Sequence, residues 1–345
     1  MGGQEDAGIA AITEPPESRL TVLVTGGGGF LGSSICRQLA DRGDAVIAYQ
    51  RSGAPQLAER GVRVRQGDIT DFDALATALA GCDAAIHTAG KAGIWGAPSD
   101  YHRVNVDGTD TVIRACRSAG VACLVHTSSP SIVHTGSDMG DVDESVPVAS
   151  RFKAPYPASK AEAERRIVSA NSESLLTTAL RPHLIWGPGD PHILPRLAAK
   201  AKGGTLALPG PEKRVDTIFV ENAALAHLKA LDELRSTARC AGKAYFVTND
   251  EPLPQGEIIA RMLQAIGMEV RIRAVPVSLA LAAGWACETA WKFLRLKSEP
   301  PVTRFSVEQL ATEHWFDTSA SKRDFGYRPR FTIEQGLEAL RESVG

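Results

Sequence analysis

The sequence of 345 residues predicts an α/β fold, a doubly wound parallel sheet with a smaller C-terminal lobe. Three observations predict it. The first half alternates short apolar runs with helical runs. Four consecutive glycines, Gly26 to Gly29, break the chain directly after the first apolar run. Beyond residue 186 the alternation loosens, and Pro and Gly gather in WGPGDPHILP and ALPGPEKR. Alternating strands and helices form right-handed βαβ units and hence a parallel sheet. Continuously apolar strands suit a sheet covered on both faces.

In chain order, strands are expected over 21–25 (TVLVT), 45–49 (AVIAY), 62–65 (VRVR), 84–88 (AAIHT), 121–127 (VACLVHT) and 175–181 (LLTTALR). Helical runs such as FLGSSICRQLADRG and DFDALATALAGC lie between them. The run AYFVT at 244–248 is expected to rejoin the sheet. Helices are expected near 255–267, 278–296 and 332–343. The reading divides the chain into a tail over 1–19, a dinucleotide-binding domain over 20–186 and 215–250, and a substrate lobe over 187–214 and 251–345. MGGQEDAGIAAITEPPESR has neither a basic start nor a long apolar core, so a disordered tail is expected there and not a secretory signal.

Lys and Arg total 38 against 40 Asp and Glu, a formal charge of -2, which gives no reason to expect nucleic acid as a partner. None of the six cysteines forms a C-x-x-C pair, so no metal is expected, and buried free thiols are. The most apolar stretch, LALAAGWAC at 279–287, is too short to span a bilayer. It reads as a core helix, or as one lining an apolar channel or resting on a membrane.

A strand, a glycine turn and a helix start together make a phosphate site, because unpaired backbone N–H groups and the helix dipole face the anion. Gly26-x-x-Gly29-x-x-Gly32 is a variant of the Rossmann-type turn. A second signal is YPASK. Tyr156 and Lys160 stand four apart and share one helix face. A neighbouring ammonium lowers a phenol's pKa, so the pair can pass a proton to or from a carbonyl or alcohol oxygen. The segment HTSSPSI places hydroxyls at the end of a strand, where open parallel sheets bind ligands.

With TGGGGFLG, GDITD, HTAG, TSSPS, YPASK and RPHLIWGPGD in this order, the chain from about residue 20 resembles the extended short-chain dehydrogenase/reductases, in the branch around the 3β-hydroxysteroid dehydrogenases. Within that branch KAGIWG, YHRVNVDGT, LRPHLIWGPGDPHILPRL and GKAYFVTNDEPLP are similar to the 2-alkyl-3-oxoalkanoate reductases of bacterial long-chain olefin synthesis. The resemblance implies catalytic Ser129, Tyr156 and Lys160. Tyr156 would exchange the proton, Lys160 would lower its pKa and hold the nicotinamide ribose, and Ser129, with Ser128 as the alternative, would hold the reacting oxygen. It also implies cofactor contacts from Gly26, Gly29, Phe30, Leu31, Gly32, Asp68, Ile69, Thr88, Ala89 and Pro182.

One departure bears on the cofactor. Where NAD-binding relatives carry an acid after the second strand, this chain has Gln50, Arg51 and Ser52. A carboxylate would repel a 2′-phosphate, whereas Arg51 can pair with one, so NADP(H) is expected.

The resemblance thus implies reduction of a long-chain 2-alkyl-3-oxo acid. Lys91, His183, His192 and Arg196 are candidates for its carboxylate, led by His192 and Lys91. A 3β-hydroxysteroid or carboxysterol dehydrogenase, a sugar-nucleotide epimerase and a non-enzymatic dinucleotide sensor are the competing readings. The epimerase would want more basic residues in the second lobe, and sensors often lose the Tyr or the Lys. The expected location is cytoplasmic, and the resemblance admits contact with a membrane surface, a homodimer and association with partner enzymes of the same lipid pathway.

Overall fold

The computed structural model describes residues 19–201, 203–296 and 298–344. The tail expected over 1–19 therefore lies outside the described residues, apart from Arg19. β1 (Thr21–Thr25), β2 (Ala45–Gln50), β3 (Arg63–Gln66), β4 (Ala84–His87) and β5 (Cys123–Thr127) form a parallel sheet. The strands Leu176–Pro182 and Lys243–Val247 extend it beyond β5, also in parallel. The order across the seven strands is Lys243–Val247, Leu176–Pro182, β5, β4, β1, β2, β3. The chain thus winds outward from β1 in both directions, and the reversal falls between β1 and β4, where such sheets open a ligand crevice at the strand ends. The expected α/β fold is observed, and the 244–248 run does rejoin the sheet at its edge.

Each face of the sheet is covered. α1 (Phe30–Asp41) and the helix Val220–Arg235 pack on one side through Leu31, Ile35, Leu39, Ala223, Leu228 and Leu231. Helices Phe72–Leu79, Gly108–Ala119 and Pro155–Ser169 cover the other through Leu75, Leu79, Val112, Cys116 and Ile167. β5 begins at Cys123, two residues later than expected. Gly120 caps the preceding helix in the left-handed conformation, and Val121 N–H still bonds back to Cys116. The five cysteines Cys36, Cys82, Cys116, Cys123 and Cys240 are buried free thiols, as expected.

Two elements differ from the sequence reading. The strand Met139–Val142, where the sequence reading placed no element, pairs with the C-terminal strand His314–Phe316. That pairing draws the chain after β5 against the C-terminal part. The helix Val277–Phe293 forms where expected but is not a core helix. It buries Gly284 and Glu288, while Leu279, Trp285 and Phe293 are 62%, 59% and 85% exposed. Its fixed point is the Glu288 carboxylate, which accepts from the N–H and Nε of Arg304 at 2.7 and 2.9 Å. Among the described residues no helix is long and apolar enough to cross a membrane.

Candidate active site

A cavity of about 640 Å³ opens at the C-terminal ends of the sheet strands. At one end lies the glycine turn. Gly26 has φ +69°, and a Cβ there would stand 2.9 Å from the Ala89 amide nitrogen. A Cβ on Gly32 would strike the Gly26 carbonyl, so helix and turn can approach only with glycine at both positions. α1 starts at Gly29 without a side-chain cap, which leaves its first-turn N–H groups for a ligand. The turn thus keeps the space and the free donors that a pyrophosphate needs.

Phe30, Leu31, Asp68, Ile69, Thr88 and Ala89 line the same end. The Asp68 carboxylate accepts from the Thr70 N–H (2.9 Å) and hydroxyl (2.8 Å), which hold its pKa below the usual carboxylate range. Thr88 is tied to β1 through a bond from its hydroxyl to the Thr25 carbonyl, 2.8 Å. Arg51 is exposed on the cavity wall, and the Gln50 amide beside it donates to the Ser52 carbonyl at 2.8 Å.

The other end holds the candidate catalytic groups. Ser129 begins the short helix Pro130–Ile132. Its Oγ accepts from the Ser131 N–H at 3.2 Å and lies 2.9 Å from the Ser131 hydroxyl. Tyr156 enters from the first turn of helix Pro155–Ser169, with Pro155 at a position where a missing N–H costs nothing. Burial pushes the Tyr156 phenol up, and the neighbouring Ser129 side chain works the other way. Ser128 also lines the cavity, but its buried Oγ has no hydrogen-bond partner among the described residues.

Lys160 stands on the helix face that its spacing implies. It shares the helix face with Tyr156 but is buried behind the lining. Its Nζ donates to the Thr127 carbonyl at 2.5 Å and lies 3.1 Å from His126 Nε2. Burial lowers its pKa to about 8. Its hydrogen-bond partners thus lie at the end of β5, in the strand that leads to Ser129.

The remaining candidates separate. His183, His192, Arg196 and Pro182 line the cavity. Arg196 is exposed and paired with Glu299 at 2.8 Å, and His192 is exposed. Lys91 does not line the cavity. Its Nζ sits over the Tyr101 ring, 5.2 Å from the centroid, and 3.9 Å from Asp100. The expected apolar channel along 278–294 is not found either, because no residue of the Val277–Phe293 helix lines this cavity. That helix meets its neighbours through one narrow strip and turns its large side chains outward.

Two positioning residues escaped the sequence reading. Asn105 accepts from the Lys91 N–H (2.6 Å) and donates to the Lys91 carbonyl (3.1 Å) and to Ser159 Oγ (2.9 Å). It thereby joins the loop after β4 to the helix bearing Tyr156. Its backbone lies in a π-helical stretch, His102–Asp107, a distortion frequent at functional sites. The other is His126, buried beside Lys160. Both lie in quoted motifs, Asn105 in YHRVNVDGT and His126 in HTSSPSI, but their partners come from other segments of the chain.

The chain matches the model of the 3-beta hydroxysteroid dehydrogenase/isomerase family over residues 23–277. A 2-alkyl-3-oxoalkanoate reductase of Stenotrophomonas maltophilia (strain K279a) is 48% identical over 327 residues, 94% of this chain and 99% of that protein. A 3 beta-hydroxysteroid dehydrogenase/Delta 5-->4-isomerase of Mycobacterium tuberculosis (strain ATCC 25618 / H37Rv) is 34% identical, over 92% of this chain and 88% of that one. In fold, the chain is similar to a UDP-glucose-4-epimerase from Stenotrophomonas maltophila crystallised with NAD. The TM-score is 0.74 and the identity 21%, over 94% of this chain and 97% of the other.

Proposed function

The chain belongs to the 3-beta hydroxysteroid dehydrogenase/isomerase family of oxidoreductases, and we propose that it uses NADPH to reduce a long-chain 2-alkyl-3-oxoalkanoate to the 2-alkyl-3-hydroxyalkanoate. One observation carries this reading. The glycine turn and the Ser129–Tyr156 pair line one cavity, as a dinucleotide bound beside a carbonyl substrate requires. The identity to a named 2-alkyl-3-oxoalkanoate reductase supports the substrate class.

When bound, the nicotinamide dinucleotide would supply the hydride for the C3 carbonyl carbon. Gly26, Gly29 and Gly32 would admit its pyrophosphate to the start of α1, and Asp68 and Ile69 would bracket its adenine. Lys160, which lies behind the lining, would steady the end of β5 that leads to Ser129. Ser129 would hydrogen-bond the carbonyl oxygen, and Tyr156 would donate the proton that makes it a hydroxyl. Burial keeps the phenol protonated at neutral pH, the form that reduction needs.

NADP(H) is preferred here because Gln50 and Arg51 stand on the cavity wall where an acid would discriminate against a 2′-phosphate. Wild-type protein is expected to bind NADPH more tightly than NADH. Arg51→Ala should remove most of that preference while leaving NADH affinity nearly unchanged. A charge-assisted bond contributes roughly 1.5–3 kcal/mol, a factor of about ten to a hundred. Fluorescence titration with both cofactors measures it, and equal wild-type affinities would refute the assignment.

The reaction itself is tested in reverse, because 3-oxo acids lose carbon dioxide. A 2-alkyl-3-hydroxyalkanoate and a 3β-hydroxysteroid are each offered with NADP⁺. Oxidation of the hydroxy acid is expected. Turnover of the steroid alone would move the chain to the steroid branch.

A further inference from the structure

Three histidines from distant segments meet behind one wall of the cavity. His183 follows Pro182 at the end of its strand, His134 follows the helix Pro130–Ile132, and His314 opens the strand His314–Phe316. The His183 and His314 rings lie 4.9 Å apart, and those of His134 and His314 lie 6.2 Å apart. Phe316 stands edge-on to His183 at 5.1 Å and Phe305 to His134 at 6.2 Å. His183 is 7% exposed and lines the cavity with Phe305 and Gln309.

Each ring has a buried nitrogen without a hydrogen-bond partner among the described residues: Nδ1 of His183, Nε2 of His134 and Nδ1 of His314. Buried polar atoms are almost always paired, and leaving one unpaired costs about 1–3 kcal/mol. His183 alone reaches the lining, with the other two rings behind it, and its unpaired nitrogen at the cavity points to a polar ligand.

The cluster also stands at the right place. The Ser128 N–H donates to the Leu180 carbonyl at 2.6 Å, so the chain bearing Ser129 emerges beside the one bearing His183. Neighbouring strands lie about 4.8 Å apart. In a 3-oxo acid a single carbon separates the reacting carbonyl from the carboxylate. A carboxylate subsite must therefore adjoin Ser129 and Tyr156. Of the other candidates, Lys91 lies off the cavity lining, Arg196 is already paired with Glu299, and His192 is exposed in the loop where its backbone N–H donates to Asp190.

We propose that His183, backed by His314 and His134, is the subsite for the substrate carboxylate, and that the acid binds together with one proton taken up by this cluster. The proposal rests on the 3-oxo acid reading of the substrate. Among the described residues, the lysines near the cluster are paired. Lys153 is paired with Glu308 at 2.6 Å and Lys213 with Asp138 at 2.8 Å. Asp216, whose backbone faces His183, has a buried carboxyl raised to about 7, one oxygen of which accepts the Phe316 N–H. Burial, with the neighbouring imidazoles, holds His183 well below its ordinary range and His314 down to about 4. The imidazoles are thus neutral near pH 7 before the acid arrives.

The sign follows from linkage. An adjacent carboxylate raises the imidazole pKa, so binding takes up a proton. Affinity for the acid then falls as pH rises, by up to about tenfold per pH unit, while a neutral ester is unaffected by this group. The test compares kcat/KM for a 2-alkyl-3-hydroxyalkanoate and its methyl ester, with NADP⁺, across roughly pH 6–9. The wild-type acid-to-ester ratio is expected to fall with pH. His183→Gln should cut that ratio about tenfold or more while ester turnover persists.

A pH-independent wild-type ratio overturns the proposal. So does a His183→Gln protein that keeps the ratio. If that variant turns over neither compound, the wild-type pH profile decides alone. If the wild type turns over neither, the 3-oxo acid reading fails, and the subsite falls with it.

Discussion

Tyr156→Phe is expected to lower kcat by about 10²–10⁴-fold, the usual contribution of a positioned general acid. The ring remains, so the half-buried side chain keeps its packing and the fold should be retained. Burial holds the phenol above its ordinary pKa, so it is protonated through neutral pH. In the reductive direction, wild-type kcat should therefore stay level there and decline only under alkaline conditions. In the oxidative direction the phenolate is the acceptor, and the rate should rise with pH. The phenylalanine variant should lose this dependence in both directions. A variant retaining more than about a tenth of wild-type kcat would remove Tyr156 from the role.

The largest effect on stability is expected at Glu164. Its carboxylate receives Nε and Nη2 of Arg181 at 2.8 and 2.6 Å, and both side chains are only 6% exposed. The pair fastens the helix that carries Tyr156 to the strand that ends in Pro182. Arg181 also lies over the Phe246 ring, 5.0 Å from its centroid. Glu164→Leu removes the carboxylate that pairs the buried guanidinium and leaves it only the more distant Glu144, and breaking such a pair costs about 3–5 kcal/mol. The double variant Glu164→Leu/Arg181→Leu removes both charges and should recover much of that loss, because two buried charges pay a large desolvation penalty. Chemical denaturation of the three proteins measures it. A single variant within about 1 kcal/mol of wild type would show that the pair does not hold this helix.

The part of the molecule legible in the chain is the part that local chemistry determines. A strand, a glycine turn and a helix start occupy twelve consecutive residues, and the requirement for glycine at 26 and 32 arises within them. The spacing of Tyr156 and Lys160 sets their common helix face. The inner strand runs, such as those of β1 and β4, were readable because a sheet covered on both faces needs them apolar, whereas the edge strand β3 (RVRQ) is mostly exposed. Alternation then determined the parallel order, since helical crossovers have one hand.

What the tertiary structure decided are the partners. Lys91 and His183 both sit just beyond strand ends, and the sequence reading put Lys91 ahead. Packing against Tyr101 turns the lysine away, while Phe316 and His314 hold the histidine at the cavity wall. Lys160 reaches His126 and Thr127 because β5 ends beneath the helix, which no spacing of four records. Asn105 and the three-histidine cluster draw on segments far apart in the chain. The apolar run at 279–287 shows the limit most clearly. Composition marks it as able to be buried, but burial depends on a second surface meeting it, and here only Gly284 and Glu288 are covered.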